Sequence, residues 1–410
     1  ALHRLGIPAV VASRQPLSVQ GSIVLTEVLY ERMLVGLRSL EDAFLAARRR
    51  LSEGAGGDWA ALQLYARAGD GGDHRPFVVR PFRGLLAFRE EHARLFFGRQ
   101  QEVDEAVHDL SLLIAAKPGG PRFLVVTGAS GTGKSSIVLA GLVPALQQRD
   151  EGRWRVVTLR PRDGMAKIDA ALAERGAAAL LLVVDQFEEV FTDVADKDTR
   201  ALFVRRLWAL ADGASSGVSV VATLRVDFLA RCSEIQLGDG ERTLEDVLYD
   251  EAHRVFVRRM KREHMREVVV RPAARVGLAL DPGLAEQILR DAGDEPGALP
   301  LVEYTLDRMW EARVRVGGAR WQLAWATYEA LGGVAGALEK QAEAMLAGMG
   351  ELQRRAARRL LVQLVDTRDD ASQDTRRRVR SDRLRLGPPA EAAVFAAVLG
   401  ELVRERQPSR

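Results

Sequence analysis

Eight consecutive residues, Gly128-Ala129-Ser130-Gly131-Thr132-Gly133-Lys134-Ser135, satisfy the spacing G-x-x-x-x-G-K-[ST]. An apolar segment precedes them and an amphipathic one, from Ser135 to Gln148, follows. Triphosphate oxygens must be met by many donors at short range, and this pattern supplies them. Gly128, Gly131 and Gly133 permit positive φ, so backbone N–H groups can turn inward as an anion nest. The helix N-terminus beyond adds partial positive charge. Lys134 offers a mobile cation to the β and γ phosphates, and Ser135 offers a hydroxyl to Mg²⁺. The expected nucleotide contacts are therefore Gly128, Ala129, Ser130, Gly131, Thr132, Gly133, Lys134, Ser135 and Ser136.

Two further segments end in polar residues after an apolar run. Leu180 to Val184 leads into Asp185-Gln186-Phe187-Glu188-Glu189. A strand that ends in an aspartate presents one carboxylate at the carboxyl edge of a sheet, where ligands sit in α/β folds. Asp185 is thus the expected Mg²⁺ partner beside Ser135. Glu188 or Glu189 would polarise an attacking water, and the sequence does not separate the two. Val220-Val221-Ala222-Thr223-Leu224-Arg225 is the other segment. Arg225 would sense a γ phosphate electrostatically, with a plain surface ion pair as the alternative. Lys134, Asp185, Glu188, Glu189 and Arg225 form the candidate catalytic set.

These residues need a scaffold that delivers strand ends to one edge. Between Pro81 and about Arg271 the chain alternates strand-like and helix-like segments, which predicts an α/β core with a parallel sheet. The five strand candidates are Arg122 to Thr127, Trp154 to Arg160, Ala179 to Val184, Val218 to Leu224 and Val255 to Val257. Ahead of it, Pro8 to Ala12 reads as a buried parallel strand. Two helices follow, with Ile23, Leu25, Val28, Leu29 and Met33 in the first and Leu40, Phe44, Leu45 and Leu51 in the second. Leu62 to Tyr65 returns as a strand. After about Ala274 the strand signals fade and the sequence becomes helical. The predicted organisation is a small α/β piece over 1–68, a glycine-rich linker over 69–80 and a core over 81–272. A helical lid over 273–345 and a partial winged-helix-like region over 346–410 complete it.

At 410 residues with a net charge of +3, the chain is long enough for several domains and not basic enough to point to nucleic acid. Arg48 to Arg50, Arg258 to Arg262 and Arg376 to Arg380 are basic clusters without interleaved aromatics, and they read as solvated faces. The single cysteine, Cys232, excludes an internal disulfide or a multi-cysteine metal site, reads as a buried apolar residue and fits a reducing cytosol. The histidines lack metal-ligand spacing, so no metal beyond Mg²⁺ is expected. The longest apolar run, Ala177 to Val184, is too short to cross a bilayer, so no membrane partner is expected. The chain opens on Ala and reads as a fragment of a longer polypeptide.

With these motifs in place, Pro81 to about Arg380 resembles the STAND-class ATPases, signal-transducing relatives of AAA+ and NACHT proteins in bacteria. Pro81-Phe82-Arg83-Gly84-Leu85-Leu86-Ala87-Phe88 and Leu95-Phe96-Phe97-Gly98-Arg99 resemble that family's opening segment, which implies that Gly98 and Arg99 lie against adenine or ribose. Asp185 to Glu189 is similar to the NACHT form of the acidic motif. Glu295-Pro296-Gly297-Ala298-Leu299-Pro300-Leu301 resembles the G-x-P element of the lid, one residue longer, which implies base contacts from Gly297 and Pro300. The resemblance implies a three-layer α/β/α fold with a five-stranded parallel sheet and a switch that exchanges ADP for ATP, self-associates on activation and hydrolyses slowly. The segment from Gly6 to Tyr65 resembles the end of a CHAT-type caspase-like domain whose His-Cys dyad would precede Ala1. That implies a caspase-like effector upstream, sensor repeats downstream, no peptidase activity in this chain and a place in defence or cell death. Two alternatives stay open: a mechanical ATPase acting on nucleic acid, and a nucleotide-binding scaffold that does not hydrolyse.

Overall fold

A strand buried on both faces is apolar at nearly every position, and such a strand belongs in the middle of a parallel sheet covered by helices. The computed structural model places three of them there. It describes residues 9–36, 38–54, 56–66, 79–115, 121–150, 153–176, 178–194, 196–212, 217–238, 242–293, 297–316, 320–366, 375–376, 384 and 394–398. By contacts the chain divides into two units, 1–329 and 330–410.

The first unit opens with β1 (Ala9–Ser13) and β2 (Leu62–Ala66), joined through helices Val19–Tyr30 and Leu40–Ser52. β1 pairs antiparallel to β2, with Val11 opposite Leu64, and most of its residues are half-buried. This corrects the expectation of a buried parallel strand. Two long intervening helices return the chain to the end it left, with only the single turn Asp58–Ala61 before β2, which suits antiparallel pairing, whereas a parallel pair needs a crossover. Phe44, Leu51 and Leu62 form a small core against Val11 and Leu25, while Ile23 and Leu45, assigned to the apolar faces, are exposed. Arg48 spreads over the Phe44 and Trp59 rings and Arg50 pairs with Glu53, in keeping with a solvated face. Gly6 to Pro8, the linker residues 69–78 and the basic residues 377–380 lie outside the described residues.

The core carries β3 (Phe123–Gly128), β4 (Trp154–Leu159), β5 (Ala179–Val184), β6 (Val218–Arg225) and β7 (Arg254–Val257). All neighbouring pairs are parallel, in the order β4-β5-β6-β3-β7. Alternate residues feed two layers, as a period of two requires. Phe123, Val125, Leu182, Val184 and Val220 pack against Phe203, Leu207 and Trp208 of helix Lys197–Asp212. Leu124, Val126, Leu181, Val183 and Val221 pack against Val103 and Leu110 of helix Gln100–Ala115 and against Ile137 and Leu142. The predicted three-layer α/β/α core is therefore the observed one, and each strand boundary lies within one residue of its expected place. Cys232 is buried, and burial pushes its thiol up to about 12.

The helical run after β3 is not uniform. Turns Lys134–Ser136 and Val143–Arg149 are α-helical, and Ile137–Leu142 between them is a π-helical stretch in which Val143 N–H reaches the Val138 carbonyl. Pro144 has no N–H to continue an α ladder. Gly141 lets this stretch lie against Val103: a Cβ there would sit 2.3 Å from a Val103 methyl.

After helix Arg262–Arg275, the region expected to be helical contains a small sheet as well. β8 (Ala279–Leu280) pairs parallel with β10 (Arg320–Leu323), which pairs antiparallel with β9 (Val314–Val316). The helices Leu284–Ala292 and Ala298–Glu311, the second of which we call the lid helix, pack against each other and against helix Arg262–Arg275. The second unit contains helices Gly333–Gly348 and Glu351–Gln363 and a short antiparallel pair, Val365–Asp366 with Thr375–Arg376. Much of 346–410 lies outside the described residues, so the winged-helix expectation stays a proposal.

Candidate functional site

The phosphate-loop residues sit where β3 ends, at the carboxyl edge of the sheet. Gly128 is level with Arg225 of β6 and Val257 of β7. Gly131 and Gly133 have φ of 79° and 92°, the left-handed turns that an anion nest needs. Gly128 does not have positive φ, contrary to expectation. Its lack of a side chain serves a close approach instead, because a Cβ would lie 2.6 Å from the Val257 carbonyl oxygen. Lys134 is buried, and its ammonium turns back onto the loop, donating to the Gly128 and Ala129 carbonyls at 3.1 and 2.8 Å. Burial pulls its pKa down to about 8, against which the Glu188 carboxylate is the largest favourable charge.

β5 delivers Asp185 to the same edge. Its Oδ1 accepts the Ser135 hydroxyl at 2.6 Å and the Thr223 hydroxyl at 2.8 Å. The next residue, Gln186, has φ of 56°, and no other non-glycine described residue has positive φ. That left-handed step turns the chain off the strand. Glu188 and Glu189, both buried, then diverge in what they face. Glu189 lies 3.4 Å from Arg160 at the end of β4, and burial still pushes the Glu189 carboxyl up, while the charge of Glu188 favours the Lys134 ammonium.

Arg225 stands at the right edge, but its guanidinium is bound in two hydrogen bonds to Asp227, at 2.9 and 2.5 Å, and lies over Phe228. The ion-pair reading describes this state. Gly98, with φ of 79°, leaves no room for a Cβ against the His264 carbonyl. Arg99 is buried and braces the loop: it donates to the Thr132 carbonyl at 2.8 Å and the Arg258 carbonyl at 3.1 Å, and it pairs with Glu102. Its side chain is committed to the scaffold, which differs from the implied contact with a base or ribose.

Residues 80–88 form a strap between the lid helix and the loop. At one end Arg80 makes two hydrogen bonds to buried Asp307, at 2.6 and 2.7 Å, and Arg83 N–H donates to the Glu303 carboxyl at 3.3 Å. Burial pushes that Glu303 carboxyl up to about 8. At the other end Phe88 N–H donates to the Ser136 hydroxyl at 3.1 Å, and the Phe88 ring packs on Phe96. The lid helix also meets the loop directly. A Cβ on Gly131 would fall 2.9 Å from Pro300 Cγ, and one on Gly133 would fall 3.7 Å from a Leu299 methyl. The longer G-x-x-P spacing therefore still brings Pro300 to the site. Gly297 caps that helix with φ of 94°, and Glu295 and Pro296 lie outside the described residues.

The residues present fit Mg²⁺. Ser135 and Asp185 bring a hydroxyl and a carboxylate together, the hard oxygen donors this ion takes, usually with phosphate and water as its other ligands. Among the described residues no cluster of three or more His, Cys, Asp or Glu forms a self-sufficient metal cage. No described helix is long and apolar enough to cross a membrane. Sequence reasoning missed Thr223, Arg160, Arg80, Glu303 and Asp307. Thr223 alone had a local signal, a hydroxyl within an otherwise apolar strand end.

A phosphate loop after a strand, an acidic strand end beside it and one further strand inserted between the two define a P-loop NTPase. The family described as Novel STAND NTPase 1 matches residues 81–407, and the chain belongs to that family. No curated protein matches it. Among solved structures it is similar to the ORC1 protein of Aeropyrum pernix in complex with DNA, at 13% identity over 78% of this chain and 81% of that one, with a TM-score of 0.41. It is similar to PCH-2 of C. elegans at 15% identity over 59% of this chain and 69% of that one, with a TM-score of 0.38. Domain III of the replication initiation protein DnaA from Thermotoga maritima matches at 11% identity over 51% of this chain and 83% of that one, with a TM-score of 0.36.

Proposed function

We propose that the chain is an ATP-operated signalling switch that binds ATP or ADP with Mg²⁺, hydrolyses slowly and governs a caspase-like effector. One observation carries this reading. Every cation that would meet a triphosphate is engaged within the protein, Lys134 on loop carbonyls and Arg225 on Asp227, while Pro300 is seated on Gly131. Such a site responds to occupancy by exchanging partners, which is the behaviour of a bistable element biased by a γ phosphate.

In this reading Ser135 and Asp185 would hold Mg²⁺, which would supply charge neutralisation to the bound phosphates. Loop N–H groups and Lys134 bind the phosphate oxygens, and Arg225 leaves Asp227 to meet the γ phosphate. Glu188, on the Lys134 side, orients and deprotonates the attacking water, and Glu189 stays with Arg160. Gly297 and Pro300 close over the base and loop. Activation leads to self-association, the piece over 1–68 is the end of a caspase-like domain, and downstream repeats supply the trigger in a cytoplasmic defence or cell-death pathway.

The test compares Lys134→Ala, Glu188→Ala and Glu189→Ala in nucleotide binding and single-turnover hydrolysis. Lys134→Ala is expected to lose binding. Glu188→Ala should keep binding and lose about 10²–10⁴-fold in turnover, the range for a general base. Unchanged turnover in all three would sink the hydrolytic reading. Turnover stimulated by DNA, with a steep salt dependence, would instead favour a mechanical ATPase.

A further inference from the structure

Thr223 is a buried hydroxyl in the central strand β6, between Ala222 and Leu224, which are both fully buried. A hydroxyl in such a place costs stability unless it is hydrogen-bonded. Its oxygen donates to Asp185 Oδ1 at 2.8 Å and accepts Gln186 N–H at 2.9 Å, and the Thr223 carbonyl accepts Phe187 N–H at 2.8 Å. One residue on β6 therefore holds three successive residues that leave β5.

Two consequences follow from that placement. Asp185 Oδ1 receives both the Ser135 and the Thr223 hydroxyls, which fixes the carboxylate torsion. Ser135 is the hydroxyl a divalent ion would claim through its oxygen, so Thr223 is the donor to Asp185 that is not itself a metal ligand. Gln186 meanwhile has its left-handed φ of 56° in a non-glycine residue, a conformation that persists only where neighbours hold it. The bonds from Gln186 N–H and Phe187 N–H to Thr223 are the hold, and the turn they secure leads directly into Glu188.

We propose that Thr223 is a positioning residue for the Mg²⁺–nucleotide site, orienting the Asp185 carboxylate for the metal and fixing the turn that aims Glu188. The inference rests on the nucleotide reading above. Partners that orient a metal ligand contribute about 10–100-fold to metal affinity. A Thr→Val exchange removes the hydroxyl and preserves shape.

The experiment titrates a fluorescent ADP analogue onto the full chain without Mg²⁺ and then across a Mg²⁺ series, for the parent, Thr223→Val, Thr223→Ala and Thr223→Ser. Thr223→Val and Thr223→Ala are expected to bind the analogue without Mg²⁺ as the parent does, yet to need about 10–100-fold more Mg²⁺ for its half-maximal effect. Thr223→Ser, which keeps the hydroxyl, should return the midpoint to the parent value. Thr223→Ala guards against a fold failure specific to valine beside a carboxylate. The inference is overturned if either hydroxyl-free variant keeps the parent's Mg²⁺ midpoint, or if metal-free binding falls in step with the Mg²⁺ effect. A parent chain that shows no Mg²⁺-dependent nucleotide binding refutes the nucleotide reading itself, and the inference with it.

Discussion

Replacing Asp307 with asparagine keeps the side-chain shape while removing the charge that anchors the strap to the lid helix. Asp307 is buried and accepts two short bonds from Arg80, whose side chain is 35% exposed. Hydrogen bonds to a charged group contribute about 1.5–3 kcal/mol each, and breaking a fully buried pair costs about 3–5 kcal/mol. Here the loss is smaller. The amide retains one acceptor, water reaches part of the guanidinium, and Arg80 keeps Glu311 at 3.1 Å. A figure of about 2 kcal/mol is reasonable, equivalent to about 30-fold in an equilibrium constant. The strap also bonds to Ser136, so weakening its far end loosens the lid over the loop. In stopped-flow chase of a fluorescent ADP analogue, Asp307→Asn is expected to release nucleotide about 30-fold faster. Arg50→Ala, which breaks a pair exposed on both sides, serves as the control and should change nothing. A release rate within about twofold of the parent, alongside a lower melting temperature, would refute the gating role, because the pair would then support only global stability.

The remaining predictions concern pH. Burial holds Lys134 near 8 and bound phosphates would restore its ordinary, higher value, so binding takes up a proton above about pH 8 and none well below it. Calorimetry in buffers of different ionisation enthalpy should find negligible proton uptake at about pH 6.5, approaching one proton per nucleotide at about pH 9, with affinity falling over that rise. Proton release at the higher pH would contradict the buried-ammonium geometry. Glu303 has a carboxyl raised to about 8 from 4.5, so its contribution to stability is full below pH 4.5 and is lost as pH rises towards 8. Glu303→Gln, neutral throughout, should flatten that loss and melt above the parent near pH 8 and higher, and parallel melting curves would argue against a buried neutral acid.

What the sequence made legible follows from what is local. The five core strands were readable because strands covered on both faces have unbroken apolar runs. The loop and Asp185 were readable because each is a short motif on one element, whereas Pro300 came from a family resemblance. β8 spans two residues and β9 alternates valine with arginine with all three residues exposed, so neither has a period that separates it from a loop. The direction of β1 depended on the number of helices that follow it rather than on its own residues. Gly128 was assigned positive φ from its residue type, whereas its need for glycine comes from β7, far along the chain. Arg80 and Asp307 are separated by 227 positions, and no local pattern links them. A ligand contact at Arg99 was implied by the resemblance of its segment to the family's opening, and its buried bonds to two carbonyls depend on residues far along the chain.

The narrow space at Gly131 has a bearing on how this protein should be perturbed. Removing glycines from a phosphate loop is a common way to empty a nucleotide site, and at position 131 it would not isolate that effect. The residue is held in a left-handed turn and also faces Pro300 across less than the width of a methyl group. Any added side chain would strain the nest and push on the lid helix together, so a binding defect in that variant would have two authors. A substitution at Ser135, whose hydroxyl faces Asp185, disturbs the metal side without that second effect. The same proximity gives a spectroscopist a reporter: a label on the lid near Leu299 or Pro300 would register changes in the phosphate loop at contact distance.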